Sequence, residues 1–245
     1  MAPTSSQVAA RRADVGRVSS RLETWGVVFD MDGVLLDSEP LQFEALNRTL
    51  EPYGVAVDLA TFRTFIGIRS SDNFRELART HGLRAELAEL LARKDAIYQE
   101  LLAARLASGA LRPRPGLRGL LARLRRRGVR LAVASSSGRA DIALVLRAFR
   151  IAPPLGTIVS GEECRHSKPD PEIYLRAAAE LGLPPARLVA IEDSGPGVAA
   201  ALAAGYRVVA CPTEFTAPHA ELAGAHLRVP SLEAVSLRAL RELVG

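Results

Sequence analysis

In the stretch "VVFDMDGVLLDSE", residues 27–39, four acids follow an apolar run: Asp30, Asp32, Asp37 and Glu39. Val27, Val28 and Phe29 favour a buried strand, yet carboxylates at its end lose hydration and repel one another. Three later stretches carry groups that would balance such a cluster. They are Ser135-Ser136-Ser137 before Gly138, Lys168 before Pro169, and Glu192-Asp193 before Ser194-Gly195. Together these residue types fit phosphoryl chemistry. Several carboxylates suit a hard cation with oxygen ligands, such as Mg²⁺. Ser135, backbone amides at a helix start and the Lys168 ammonium suit a phosphate. With the charge balanced, Asp30 is a candidate in-line nucleophile on phosphorus. Asp32, two residues on, is the matching acid to a leaving oxygen and base to an attacking water. Asp37 and Glu39 read instead as turn and helix-start acids at the exit from the strand.

These groups need a frame, and the hydrophobic pattern supplies one. A strand is expected at 26–30. From Ser38 to Ser108 apolar residues recur at three- and four-residue spacing, which predicts an all-helical insert of about seventy residues. Its far boundary is the proline-rich "RPRPG" at 112–116, a candidate hinge. Strands and helices then alternate: strand 129–134, helix "RADIALVLRAF", strand "GTIVSGEE", helix "DPEIYLRAAAELGL", strand 187–191, helix "VAAALAAG", strand "YRVVACP", an edge strand "HLRV" and a last helix, 231–243. Asp170 is expected to cap the second of these helices, with Pro171 at its first position. Alternation of this kind implies an α/β fold, a Rossmann-like parallel sheet covered on both faces. The domain boundaries follow as a disordered tail over 1–24, a core formed by 25–36 and 113–245, and a helical cap over 37–112. Ligands of an open parallel sheet sit beyond the carboxyl ends of its strands, where every acid, serine and lysine named above falls.

Composition narrows the partners. With 48% hydrophobic and 24% charged residues in 245, the chain has ample apolar material for a core and no uncharged apolar run of membrane-spanning length. Cys164 and Cys211 are too few for a disulfide framework, and two free thiols point to a reducing cytoplasm. The net charge of +5 comes from dispersed arginines with no interleaved aromatics, which argues against a nucleic-acid surface. Of the 32 basic residues only Lys94 and Lys168 are lysines, marking them as places where a compact ammonium is required and a planar guanidinium would not fit.

The four stretches "DMDGVLLDSE", "VASSS", "SKPDPEIY" and "IEDSGPG" resemble the ordered motifs of the haloacid dehalogenase superfamily. More narrowly they are similar to its sugar-phosphate phosphatase and β-phosphoglucomutase branch, over about residues 26–215. The resemblance implies Asp30 as nucleophile and Asp32 as acid/base. It implies Asp30, the Asp32 carbonyl and Asp193 as Mg²⁺ ligands with Glu192 assisting, and Ser135, Ser136 and Lys168 around the phosphate. The cap loop "FIGIRSSD" resembles a substrate-specificity loop, which places Gly67, Ile68, Arg69 and Ser70 beside the substrate. Lys94, in "ARKDAIY", is expected to reach the non-reacting part of the substrate from the closed cap. Gln42 stands where the mutases of this branch carry a histidine. That departure favours a Mg²⁺-dependent phosphatase of small phosphorylated sugars or polyols over a phosphosugar mutase, and both over a non-catalytic phosphometabolite-binding regulator. A monomer is expected.

Overall fold

The computed structural model describes residues 24–245. The expected tail, apart from Thr24, lies outside the described residues. Six parallel strands form one sheet in the order β3-β2-β1-β4-β5-β6. They are β1 (Gly26–Phe29), β2 (Arg130–Ser135), β3 (Thr157–Ser160), β4 (Leu188–Glu192), β5 (Arg207–Ala210) and β6 (Leu227–Arg228). β1 lies at the centre, in register with β2 (Val28 opposite Ala132) and β4 (Val28 opposite Ala190). Its residues alternate between two fully buried faces, as a central parallel strand requires. Val27 and Phe29 join one apolar layer with α5 (Leu117–Arg126), α6 (Arg139–Ala148) and α9 (Leu237–Val244). Val28 joins the other with α7 (Glu172–Leu181) and α8 (Gly195–Ala203).

Between β1 and β2 the chain forms four helices: α1 (Glu39–Leu50), α2 (Leu59–Phe65), α3 (Ser70–His81) and α4 (Leu87–Ala107). Leu46, Leu50, Phe62, Phe65, Phe74, Leu77 and Leu90 give this insert an apolar cluster of its own, to which the core contributes Phe215. The two crossings into and out of the insert are tied together. Leu36 bridges Pro113 in antiparallel fashion, and Arg114 N donates to Leu35 O at 2.9 Å. The proline-rich boundary is therefore a paired crossing and not a loose linker.

Two helix starts differ from the sequence reading. Pro171 is the N-cap and not the first helical residue, and Asp170 caps from one position further out, its Oδ1 accepting from Glu172 N at 2.9 Å. The last helix begins at Leu237, because Ser231 opens only a 3₁₀ turn (Leu232–Ala234), and Ser236 supplies the cap by accepting from Ala239 N at 3.1 Å. Strand β4 runs one residue further than the pattern indicated, so Glu192 is its last residue and Asp193 the first beyond it.

Candidate active site

The strands are all parallel, but their order runs outward from β1 through β2 to β3 on one side and from β4 through β5 to β6 on the other, so it reverses between β1 and β4, where a crevice opens beyond the carboxyl ends. Asp30 extends the ladder by one bond, its N–H donating to Ile191 O at 3.0 Å, which fixes its side chain over that crevice. The chain then folds back sharply, with Leu35 N donating to Met31 O and Gly33 N to Leu36 O. The turn returns Ser38 to the crevice, where its Oγ donates to Asp32 Oδ1 at 2.5 Å.

Lys168 is at the centre of the charge balance. Its side chain is 4% exposed, and Nζ donates to Asp30 Oδ1 at 2.7 Å and to Glu192 Oε1 at 2.6 Å. Burial alone would lower this ammonium, but attraction to Asp30 and Glu192 outweighs it and holds the group above its ordinary range. Burial also pushes the Asp30 carboxyl up to about 8, with repulsion from Glu192 and Asp32 adding to the rise and Lys168 opposing it. Asp193 is raised for the same first reason, burial, then by Asp30, Glu192 and Glu39. Three buried acids, Asp30, Glu192 and Asp193, therefore share one buried ammonium.

The donor set fits a hard cation. Asp30, Glu192 and Asp193 each present an oxygen within 4.8 Å of the others. Asp193 Oδ2 is buried without a hydrogen-bond partner, an unmet acceptor of the kind a cation would satisfy. Glu192 differs from it. Its Oε1 accepts from Lys168 and from Tyr174 OH at 2.5 Å, and its Oε2 from Asp193 N at 3.2 Å and Ser194 Oγ at 3.3 Å. Two glycines make room for these acids. A Cβ on Gly33, whose φ is +73°, would lie 2.0 Å from Asp193 Oδ2, and one on Gly197 would lie 2.1 Å from the Glu192 carboxyl carbon.

Asp32 sits in a ring of hydroxyls. Besides Ser38, its Oδ1 faces Tyr98 OH at 3.4 Å, while Oδ2 accepts from Ser137 Oγ at 2.6 Å and Ser135 Oγ at 3.3 Å. Tyr98 belongs to α4, so the insert itself touches this carboxylate. The crevice and the insert enclose a cavity of about 350 Å³ lined by Asp30, Asp32, Asp193, Lys168 and Ser136 on the core side. Gln42, Gly67, Ile68, Arg69, Ser70 and Lys94 line it from the insert. All of the residues assigned to the site from the sequence reach one cavity except Ser135 and Glu192, which are fully buried.

Details of the insert side differ from what spacing alone indicated. Lys94 Nζ donates to Gln42 Oε1 at 2.7 Å, joining α4 to α1. Arg69 is exposed and donates to Arg165 O at 3.0 Å, so it links insert to core as well as lining the cavity. Gly67 (φ +80°) lies against Pro196, and a Cβ there would stand 3.0 Å from the Pro196 ring. Glu39 is not only a helix-start acid. It is 6% exposed, lines the cavity, and burial followed by repulsion from Asp32, Asp37 and Asp30 pushes it up to about 8. The sequence did hold a signal for it: Glu39 stands three residues before Gln42, on the same helix face. Tyr98, four residues after Lys94, was legible by the same rule. Ser137 was quoted with its neighbours but given no role.

The model of the haloacid dehalogenase-like hydrolase family matches residues 26–205. Protein CbbY of Rhodobacter capsulatus is 36% identical over 233 residues, covering 91% of this chain and all of that protein. The phosphorylated carbohydrates phosphatase of Thermotoga maritima is 34% identical, covering 73% of this chain and 81% of its own. Among solved structures, an Asp-to-Asn mutant of CbbY from Rhodobacter sphaeroides in complex with xylulose 1,5-bisphosphate superposes with a TM-score of 0.78 at 29% identity, covering 89% of this chain and 99% of that one. The family model spans well over half of the chain and the fold superposes on a solved relative, so the chain belongs to the haloacid dehalogenase-like hydrolases.

Proposed function

We propose that this hydrolase is a Mg²⁺-dependent phosphatase that cleaves a small phosphorylated sugar or polyol through a phosphoryl group carried on Asp30. The observation that carries this reading is the Lys168 ammonium bridging Asp30 and Glu192 beside the unmet Asp193 oxygen. Such a site is short of positive charge and opens onto a cavity, so it favours an occupant that brings a cation and an anionic phosphate together.

In this mechanism Lys168 holds Asp30 Oδ1, leaving Oδ2 to attack phosphorus in line with the leaving oxygen. The ester P–O bond breaks as the Asp30–phosphorus bond forms, and Asp32 gives its proton to the departing alkoxide. Asp32 then takes a proton from water, whose oxygen attacks phosphorus and frees Asp30. Ser38 and Ser137 orient the Asp32 carboxyl through both steps. Ser136 and the backbone amides at the start of α6 receive the phosphate oxygens, with Ser135 supporting them from below. Asp30, Asp193 and the Asp32 carbonyl are the proposed Mg²⁺ ligands, with Glu192 holding Lys168 behind them. When bound, the ion supplies the positive charge that lets an anionic phosphate approach an anionic nucleophile. The four-helix insert acts as the cap that covers the carbon skeleton and keeps bulk water out.

The relatives support a phosphorylated carbohydrate as substrate, and a cavity of about 350 Å³ suits one of metabolite size. Free Cys164 and Cys211 agree with a reducing compartment, and no helix among the described residues is long and apolar enough to cross a membrane. A phosphate-release screen over metabolite monoesters, with Mg²⁺ and with chelator, tests the reading. Release confined to Mg²⁺ supports it, and no release from any ester would defeat it. Incubation with β-glucose 1-phosphate and a trace of the 1,6-bisphosphate separates the mutase. Inorganic phosphate is expected to form faster than glucose 6-phosphate, and the reverse order would make the chain a mutase.

A further inference from the structure

The four helices of the insert are not anchored alike. Leu41 and Ala45 of α1 and Leu101 and Leu102 of α4 pack into one of the two core layers, whereas α2 and α3 place no residue in either. Yet α2 and α3 carry between them the loop 67–70 that lines the cavity. A short segment of the core after β5, residues 212–219, meets these two helices. Phe215 is buried in the insert's own apolar cluster beside Phe62 and Phe65 of α2, and among the described residues it is the one member from outside the insert. His219 ties the same helix by a polar bond. Gly195 N donates to its Nδ1 at 3.2 Å, so Nε2 carries the hydrogen and donates it to Arg63 O at 3.4 Å.

The segment is stiff where Phe215 leaves it. Thr213 and Thr216 are buried, and their hydroxyls fix the backbone around the ring: Thr216 Oγ1 accepts from Thr213 N at 3.0 Å, and Thr213 Oγ1 from Phe215 N at 3.2 Å and Thr216 N at 3.3 Å. Its root is fixed as well. Cys211 N donates to Glu192 O at 2.7 Å, and Arg114 of the return crossing donates to Pro212 O at 3.4 Å. We propose that residues 212–219 are a positioning segment, in which Phe215 and His219 hold α2, and with it the loop 67–70, at a fixed place over the crevice. Neither residue lines the cavity, so each acts on the substrate only through α2. A ring removed from a packed cluster leaves a void into which the helices shift. The loop then meets the carbon skeleton of the substrate in fewer of its positions, and binding weakens before the chemical step does. The kinetic consequence rests on the phosphatase reading above; the placement of α2 does not.

The test reads the position of α2 and the kinetics in the same variants. Nitroxide labels on Ala60→Cys of α2 and Ala179→Cys of α7, both exposed, in a Cys164→Ser background, report the distance from insert to core by pulsed electron paramagnetic resonance. The parent is expected to give one narrow distribution, and Phe215→Ala one at least about twice as wide, with Phe215→Leu restoring most of the order. His219→Ala removes the polar tie without emptying the apolar cluster, and is expected to widen the distribution less. It decides the matter if Phe215→Ala does not fold. Without the labels, Phe215→Ala is expected to raise KM for sorbitol 6-phosphate about tenfold, while kcat on 4-nitrophenyl phosphate, which has no hydroxylated skeleton for the loop to meet, stays within about threefold. A role confined to folding would lower kcat on both esters alike and leave KM and the distances unchanged, and that result would overturn the proposal. Wider distances with an unchanged KM would overturn it too. If sorbitol 6-phosphate is left intact by the wild type, the distances alone decide the present inference. If 4-nitrophenyl phosphate and every other ester are left intact as well, the phosphatase reading fails separately.

Discussion

Lys168 and Glu39 show how the same force, burial, leads to opposite arrangements of charge. Lys168 was singled out because lysine is so rare in this chain, and it bridges Asp30 and Glu192 where a planar guanidinium would crowd both. Glu39 was read only as a helix-start acid, because a local pattern shows that an acid opens a helix and not which cavity the helix faces. Its pH behaviour can be checked. With a folded-state value of about 8 against an ordinary 4.5, Glu39 binds more proton in the native metal-free protein than in the unfolded chain between those limits. Its contribution to stability is therefore present below pH 4.5 and lost as pH rises toward 8. Glu39→Gln removes that dependence. Its melting temperature relative to the wild type, measured in chelator, is expected to improve by about 4 °C or more between pH 5 and pH 8. A constant difference would show that Glu39 titrates normally. At Asp32, substitution by Asn is expected to lower turnover by about 10²- to 10⁴-fold, the usual worth of a positioned proton donor, with the loss smallest for esters whose leaving group needs no proton.

At the scale of elements, the strand ends position the chemistry and two glycines leave space for it. The strand and helix alternation was legible because β1, β2 and β4 are continuous apolar runs and the helices keep their period. The ends were less legible, since caps compete over one or two residues: Asp170 caps α7 from beyond Pro171, and Ser236, not Ser231, starts α9. Gly33 is held closest by the Asp193 carboxylate, which comes from 160 residues later in the chain and leaves no local trace. Gly33→Ala is expected to cost about 1–3 kcal/mol in denaturant unfolding, from its positive φ and the clash. It is also expected to weaken Mg²⁺ binding by at least about tenfold in calorimetric titration. Gly54→Ala is the control. Gly54 has a φ of +66° but open space around it, so it should lose stability alone. Equal Mg²⁺ affinity in both variants would contradict the packing of Gly33 against Asp193.

Over the whole molecule, one catalytic crevice is assembled from the core and roofed by an insert that leaves after β1 and returns before β2. Tyr98, Lys94 and Gln42 bring that roof to within hydrogen-bonding distance of itself and of Asp32. The insert was foreseeable from its long helical period; which of its side chains meet the core was not, because that depends on how α1 packs along α4. Gathering Asp30, Glu192 and Asp193 around one ammonium leaves the metal-free fold under electrostatic stress. Mg²⁺ at about 100 times its dissociation constant is accordingly expected to raise the melting temperature by about 5–10 °C, and Asp193→Asn to abolish most of that rise. The central claim is that Asp30 carries the phosphoryl group, and the rate of phosphate release from 4-nitrophenyl phosphate in Mg²⁺ tests it most directly. Wild-type protein is expected to release phosphate steadily and Asp30→Asn, folded to the same melting temperature or higher, to release none above background. Steady release by Asp30→Asn would contradict the account.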